Sequence, residues 1–259
     1  MYSMTKKIHF YKYQGTGNDF VITSDIYQIT TQQIQLLCDR KFGIGADGVI
    51  VMKKDSSVDF DMMYYNADGS ESFCGNGSRC AVMHAKFLGW ISDQCSFNSN
   101  DGQHEASINN ELVNLKMHDV IEVGSSGQDF IANTGSPHYI RFQDTLNLDI
   151  VSPAKEIRYS NEFKEEGINV NFVVSKDDSL QIRTYERGVE DETLSCGTGV
   201  TASVIAEYVK SQHSGSDYYR KVETEGGMLA VSFTKTELGF QNIYLIGPAV
   251  QVFSGEIGI

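Results

Sequence analysis

The sequence predicts two similar α/β lobes produced by a tandem duplication of a unit of roughly 120 residues. Three observations carry that expectation. Two cysteine motifs, Phe73-Cys74-Gly75-Asn76-Gly77 and Ser195-Cys196-Gly197-Thr198-Gly199, lie 122 residues apart, and each opens a segment with the apolar spacing of a helix. Other segments fall into line in the same order at nearly the same offset. Short β-rich runs alternate with a few helices, and turn residues are too frequent for a helical bundle.

The matches run along the whole chain. Gly15-Thr16-Gly17-Asn18-Asp19-Phe20-Val21-Ile22 aligns with Asn133-Thr134-Gly135-Ser136-Pro137-His138-Tyr139-Ile140 at an offset of 118. Gly43-Ile44 through Val49-Ile50 aligns with Gly167-Ile168 through Val173-Val174 at 124, and Val58-Asp59-Phe60-Asp61 with Leu180-Gln181-Ile182-Arg183 at 122. Repeats of this size are whole domains, whose natural shared site is the cleft between them.

A first helix is expected from Thr31, with Ile34, Leu37 and Cys38 facing the core and Gly43 as its C-terminal stop. Its counterpart has Ser152 as N-cap and Pro153 at the first helical position. Hairpins are expected over Phe97 to Ile108, around Asn100-Asp101-Gly102, and over Val222 to Phe233, around Glu225-Gly226-Gly227. After the cysteines, Cys80, Met83, His84 and Phe87 form one apolar helix face and Ala202, Ile205, Ala206 and Val209 the other. Cys38 and Cys80 then read as packing cysteines, and His84 as a satisfied core or rim histidine.

Composition narrows the classes. The chain has 259 residues, 41% hydrophobic and 21% charged, with three prolines, enough to bury two cores. A formal net charge of −13 without clustered Lys and Arg argues against a nucleic-acid surface. No apolar run reaches a membrane span, and the opening MYSMTKKIHFYKYQG lacks the apolar centre of a signal peptide, so a cytoplasmic protein is expected. Five cysteines, at 38, 74, 80, 95 and 196, lack metal-type spacing and favour reduced thiols over disulfides or zinc.

Cys74 and Cys196 differ from the packing cysteines because each sits just before a helix, beside glycines that admit a ligand close to the backbone. The N–H groups and positive dipole end of the helix favour both a thiolate and a bound carboxylate there. A single copy of either motif reads equally well as a buried cysteine at a tight turn. Two copies at equal offset point to one active site with two thiols. Inverting a carbon stereocentre needs a base on one face and an acid on the other, and a thiolate and a thiol fill those roles and exchange them in reverse. A disulfide oxidoreductase also uses two cysteines, but as CxxC at one helix start rather than one thiol per lobe.

The segments GTGNDFVI, GIGADGVI, NADGSESFCGNGSRC and YERGVEDETLSCGTGVTAS, in this order and spacing, resemble the signatures of the diaminopimelate epimerase family over essentially the full length. The resemblance implies an α+β fold in which each lobe is a β-sheet or barrel around a central helix. It implies lobes of residues 1–123, with a returning strand at 249–259, and 124–248. It further implies interconversion of LL- and meso-2,6-diaminopimelate without pyridoxal phosphate or metal, with Cys74 and Cys196 as the acid/base pair, in a possible homodimer. Asn18, Asn66, Asn169, Glu186 and Arg187 would bind substrate, the guanidinium of Arg187 suiting a distal carboxylate. Gly75, Asn76, Gly197 and Thr198 would supply helix-start N–H groups, and His138 would support the site, with Glu186 joining it in orienting the substrate amine.

The turn-stabilising alternative for Asn18 and Asn66, and a solvated salt bridge for Arg187, are the plain readings of those residues without the resemblance. Two positions depart from the family pattern. Ser136 stands where many members have Asn, and Asn169-Val170-Asn171-Phe172 replaces Asn-Ala-Gly-Phe, so that Asn171 could stand in for Asn169. Proline racemases and hydroxyproline epimerases resemble the same architecture but read CGH where this chain has Cys74-Gly75-Asn76. The phenazine-biosynthesis isomerases resemble it without the cysteine pair. A non-catalytic amino-acid-binding relative is the remaining class, and two retained thiols argue against it.

Overall fold

A computed structural model describes residues 7–26, 28–146 and 149–259; residues 1–6, part of the segment weighed for a signal peptide, lie outside the described residues. The chain divides into two compact units, one running to Leu115 and joined by Pro248–Ile259, the other Lys116–Gly247. The division precedes the 123/124 boundary expected above. Met117 donates to the Ile243 carbonyl and Val120 bridges Phe240, so the residues just after 115 belong with the second unit.

The first unit contains β1 (Lys7–Gly15), β2 (Asn18–Thr23), α1 (Thr31–Cys38), β3 (Gly48–Lys54), β4 (Phe60–Asn66), α2 (Gly75–Phe87), β5 (Gln94–Ser99), β6 (Gly102–Asn109) and β7 (Leu112–Lys116). The second contains β8 (Gly124–Ser126), β9 (Asp129–Asn133), β10 (Pro137–Phe142), α3 (Val151–Arg158), β11 (Asn169–Ser175), β12 (Ser179–Glu186), β13 (Asp191–Thr193), α4 (Gly197–Lys210), β14 (Asp217–Thr224), β15 (Gly227–Thr236) and β16 (Gly239–Gly247). The last strand, β17 (Val250–Gly258), pairs antiparallel with β1 in the first unit.

The duplication is visible strand by strand. β1 and β2 are antiparallel, β2 and β3 parallel across α1, β3 and β4 antiparallel, and β4 and β5 parallel across α2. β9, β10, β11, β12 and β14 repeat those four pairings, with α3 and α4 as crossovers. Register corrects the offsets read from sequence. Phe20 pairs with Gly48 and His138 with Asn169, so β3 and β11 correspond 121 residues apart, not 124. Phe60 pairs with Phe97 and Leu180 with Val222, which sets β4 and β12 at 120 rather than 122. Loops before these strands differ in length, and sequence matching had absorbed the difference as a shift. In the new register Asn66 corresponds to Glu186.

Both expected hairpins form, closing at Ser99 with Gly102 and at Thr224 with Gly227. Helix ends differ from expectation. Thr30 caps α1 in a capping box with Gln33, but the helix stops at Cys38, where Asp39 turns extended, and Gly43 instead bonds back to the Asp39 carbonyl. In α3 the N-cap is Ile150, and Asp149 takes the capping part by accepting from the Val151 and Ser152 N–H groups and the Ser152 hydroxyl. Pro153 therefore sits two positions further in than predicted.

α2 packs against β1, β2, β3, β4 and β17, and α4 against β9 to β12 and β14 to β16. Each is buried nearly all round rather than on one face. Gly75, Gly77, Ser78, Ala81 and Ala85 in α2, and Gly197, Gly199, Ala202, Ser203 and Ala206 in α4, are small enough for strands to close in on every side. The predicted faces fail only in the last turn, where Phe87 and Val209 are exposed. Both helices end alike. Trp90 N donates to the Ala85 carbonyl around left-handed Gly89, and His213 N to the Tyr208 carbonyl around left-handed Gln212.

Candidate active site

Cys74 and Cys196 are the N-cap residues of α2 and α4, both with extended backbone, φ −136° and −118°. The carbonyls of Cys74 and Cys196 accept the first intrahelical bonds, from Ser78 and Val200. By helix geometry the N–H groups of the first turn have no acceptor within the helix and project at the cap. A carboxylate meeting Gly75 and Asn76, or Gly197 and Thr198, would find both those donors and the positive dipole end.

In the first unit Asn18, Cys74 and Asn76 form one cluster. The Cys74 thiol donates to Asn18 Oδ1 at 3.6 Å and accepts from Gly77 N at 3.4 Å, while Asn76 Nδ2 donates to the same Asn18 oxygen at 3.3 Å. Asn18 is held in that sense by Asp47, whose Oδ2 accepts from Asn18 Nδ2 at 2.7 Å. Asp47 is set by Arg40, which also grips both oxygens of Asp19, and Asp19 is paired with the buried Lys12 at 2.7 Å. Lys12 also donates to the Gly45 carbonyl. The two cations hold the Asp19 carboxyl down at about 2 against the opposing effect of its burial. Asp19 and Asp47 lie inside the GTGNDFVI and GIGADGVI segments, yet sequence reasoning assigned them no role.

Asn66 stands apart from that cluster. Its Nδ2 donates to Ser70 and Ser72 across the turn after β4, and its oxygen accepts from Tyr64 at 3.1 Å.

The second unit surrounds its cysteine differently. Thr198 Oγ1 lies 3.5 Å from Cys196 Sγ and 2.8 Å from His138 Nε2. His138 is fully buried, and Asn171 Nδ2 donates to its Nδ1 at 3.0 Å. Burial, reinforced by the charge of Arg187, lowers the His138 pKa to about 3, so the ring is neutral. Both ring nitrogens are engaged. His138 thus meets Thr198 beside the thiol.

Asn169 is buried and gives its amide hydrogens to Ser136 Oγ and the Pro137 carbonyl, while its oxygen accepts from Arg187 N. Arg187 donates to the Glu166 carbonyl at 2.9 Å and to Ser136 Oγ at 3.4 Å. Ser136, shorter than the expected Asn, is therefore the shared acceptor of Asn169 and Arg187. Glu186 accepts from Thr193 at 2.9 Å. The glycines fit these shells closely. A Cβ on Gly199 would lie 2.4 Å from Asn171 Oδ1 and 3.1 Å from His138 Cε1. Among the described residues neither cysteine belongs to a group of three or more metal-type ligands.

A duplicated α/β unit with a cysteine capping the central helix of each copy defines the class, a fold shared with known epimerases and isomerases. The chain superposes on a phenazine biosynthesis protein of the PhzF family from Bacillus anthracis with a TM-score of 0.79 at 15% identity, covering 98% of this chain and 100% of that one. It superposes on a hydroxyproline epimerase from Agrobacterium vitis with a TM-score of 0.68 at 14% identity, covering 98% and 93%. At such identities the likeness concerns the fold alone. The sequence profile of diaminopimelate epimerase matches residues 10–121 and 130–252. A diaminopimelate epimerase from Flavobacterium psychrophilum is 47% identical over 255 residues, 95% of this chain and 99% of the relative, and one from Chlorobaculum tepidum is 37% identical over 258 residues, 94% and 98%. The chain belongs to the diaminopimelate epimerase family.

Proposed function

We propose that the protein interconverts LL- and meso-2,6-diaminopimelate, on the route to lysine and peptidoglycan precursors, by proton transfer between the α-carbon and the thiols of Cys74 and Cys196. The observation that carries this reading is the pair of cysteines at equivalent helix N-caps in a chain of this family. One cysteine, as thiolate, takes the α-proton, and the C–H electron pair stays on the carbon and its carboxylate. The other delivers its S–H proton to the opposite face and becomes the thiolate. One passage exchanges the two states, so the enzyme is ready for the reverse reaction.

First-turn N–H groups at Gly75, Asn76, Gly197 and Thr198 stabilise the charge developing on the reacting carboxylate. Asn18, Asn66 and Glu186 hold the polar groups of the substrate, and Arg187 takes the distal carboxylate through its planar fork. Asn169 and Ser136 act through Arg187, since their hydrogen bonds fix its position. No cofactor takes part in this mechanism. Among the described residues no helix is long and apolar enough to cross a membrane. The reading places a homodimer in the cytoplasm, where thiols stay reduced.

Proton NMR of the metal-stripped, reduced protein with LL-diaminopimelate in D2O tests it, beside Cys74→Ala, Cys196→Ala and an L-proline control. Deuterium at the α-position with formation of the meso isomer, lost in either variant, is the expected result. Exchange on proline alone, or on neither compound, would overturn it.

A further inference from the structure

Arg79, in the second turn of α2, is among the largest fully buried side chains, and among the described residues no carboxylate meets it. Its guanidinium donates only to neutral oxygens, the Pro248 carbonyl at 3.4 Å, the Gly75 carbonyl at 3.5 Å and Thr16 Oγ1 at 3.3 Å. Long bonds to neutral acceptors do not offset the burial of a full charge. The charge nevertheless persists at neutral pH, since burial lowers the Arg79 pKa only to about 10.

A cation kept inside the fold calls for an anion beside it, and the helix brings two thiols towards Arg79: Cys80, whose Sγ would lie 3.4 Å from the same Gly15 Cβ that would lie 3.3 Å from Arg79 Nη2, and Cys74, whose neighbour Gly75 gives its carbonyl to the guanidinium. Cys80 is fully enclosed, and burial pushes its pKa up, holding it as a thiol. Cys74 is only partly buried and caps the helix, where the dipole and the Gly77 N–H already favour an anion.

The duplication provides an internal control. Thr201 stands five residues after Cys196, as Arg79 does after Cys74, and its hydroxyl donates to the Gly197 carbonyl at 3.0 Å. The equivalent carbonyl, Gly75 in one unit and Gly197 in the other, is thus satisfied in both, so that bond needs no guanidinium. What Arg79 adds is charge. Room is made for it by Gly15, where a Cβ would lie 3.3 Å from Arg79 Nη2 and 3.2 Å from the Asn76 carbonyl.

Other titratable groups on and around α2 do not supply the anion. Tyr13 of β1 is raised by burial and neutral, and His84 is lowered by burial to about 4 and neutral. Tyr11 packs on the His84 ring and Tyr64 of β4 bonds to Asn66. Asp19 of β2 and Asp47 are paired with Lys12 and Arg40, and Lys53 of β3 and Glu256 of β17 with Asp61 and His9. Asn18 Oδ1 serves the protonated form of Cys74, so the site accommodates both states.

We propose that Arg79 is the buried counter-charge of a Cys74 thiolate, a positioning residue that makes Cys74 the first of the two thiols to ionise and hence the resting base. This rests on the reading of Cys74 and Cys196 as the acid/base pair.

The test is the pH dependence of iodoacetamide alkylation, read for each cysteine by peptide mass spectrometry on the intact protein without substrate. The Cys74 midpoint is expected below that of Cys196. In Arg79→Met, which keeps most of the volume, the Cys74 midpoint should rise by about one pH unit or more and its alkylation at pH 7 should slow about tenfold, with Cys196 unmoved. Arg79→Lys should retain most of the effect. A native Cys196 midpoint at or below that of Cys74 overturns the proposal, as does an unmoved Cys74 midpoint in folded Arg79→Met. Should the Met variant not fold, the native comparison decides. Because no substrate takes part, absent exchange in the NMR experiment would overturn the catalytic reading and leave this result standing.

Discussion

Asn171 donates one amide hydrogen to the Tyr139 carbonyl at 3.1 Å and the other to His138 Nδ1 at 3.0 Å. A carbonyl can only accept, so the Asn171 amide has one possible orientation, in which the Thr184 hydroxyl donates to its oxygen at 2.9 Å. His138 Nδ1 is therefore an acceptor and Nε2 carries the proton, which goes to Thr198 Oγ1. The Thr198 hydroxyl beside Cys196 is thus oriented from three residues away.

Asn171→Leu removes that orientation. The expected outcome is a mixture of His138 tautomers in imidazole nitrogen NMR, against a single Nε2–H form in the native protein. Loss of the buried bonds should destabilise the fold by about 1–3 kcal/mol.

Stability should fall as pH drops from about 6.5 to 4. His84 and His138 both have pKa values depressed by burial, to about 4 and about 3. Over that range the unfolded chain binds more protons than the folded one, so acid favours unfolding by up to about 1.4 kcal/mol per pH unit for each ring. His9, raised by its bond to Asp25, works in the opposite sense, but on the surface. Urea denaturation at pH 7.5, 5.5 and 4.5 measures the slope, and His84→Leu should flatten it.

The equivalent glycines Gly77 and Gly199 should respond unequally to alanine. At Gly77 the new Cβ meets Ile50 Cδ1 at 3.3 Å and Phe20 Cε1 at 3.4 Å, tips of apolar side chains. At Gly199 it would strike Asn171 and His138, held by their own hydrogen bonds. Thermal unfolding should show Gly199→Ala destabilised by about 1–3 kcal/mol and Gly77→Ala by less, since helix propensity returns up to about 1 kcal/mol to both.

Gln212→Gly should stabilise the protein. Gln212 occupies the left-handed position that Gly89 fills after α2, with φ of 52° and 68°. Relieving the side-chain clash is expected to contribute about 1 kcal/mol and to raise Tm by about 2–4 °C in calorimetry.

Asp47→Ala should lower kcat about tenfold to a hundredfold by freeing Asn18 to turn beside Cys74. The Asp47 carboxylate is 42% exposed, so its ion pair with Arg40 contributes little to folding, and the midpoint of urea denaturation should hardly move. A large fall in stability would show that Asp47 serves the fold instead.

Much of the architecture was legible because its signals are local. Thr30 to Cys38 carries apolar residues at helical spacing, the two hairpin turns carry their glycines, and each cysteine motif opens a helix. Register was not legible, because a loop that gains a few residues shifts a sequence match without changing which strands pair. That is why Asn66 and Glu186 emerged as counterparts only from hydrogen bonding. The all-round burial of α2 and α4 was likewise read as a single face, since small residues leave no periodic mark.

The duplication, the family and the two thiols at helix starts were all readable along the chain, because motif order and helix-start chemistry depend on neighbouring residues. Tertiary structure decided what surrounds each thiol. Asn18 meets Asp47 from 29 positions away, His138 meets Thr198 from 60, and Arg79 meets Thr16 from 63. Such partners are chosen by strand register and by what burial leaves without water. Two copies of one motif therefore acquired a buried cation in one unit and a neutral imidazole in the other.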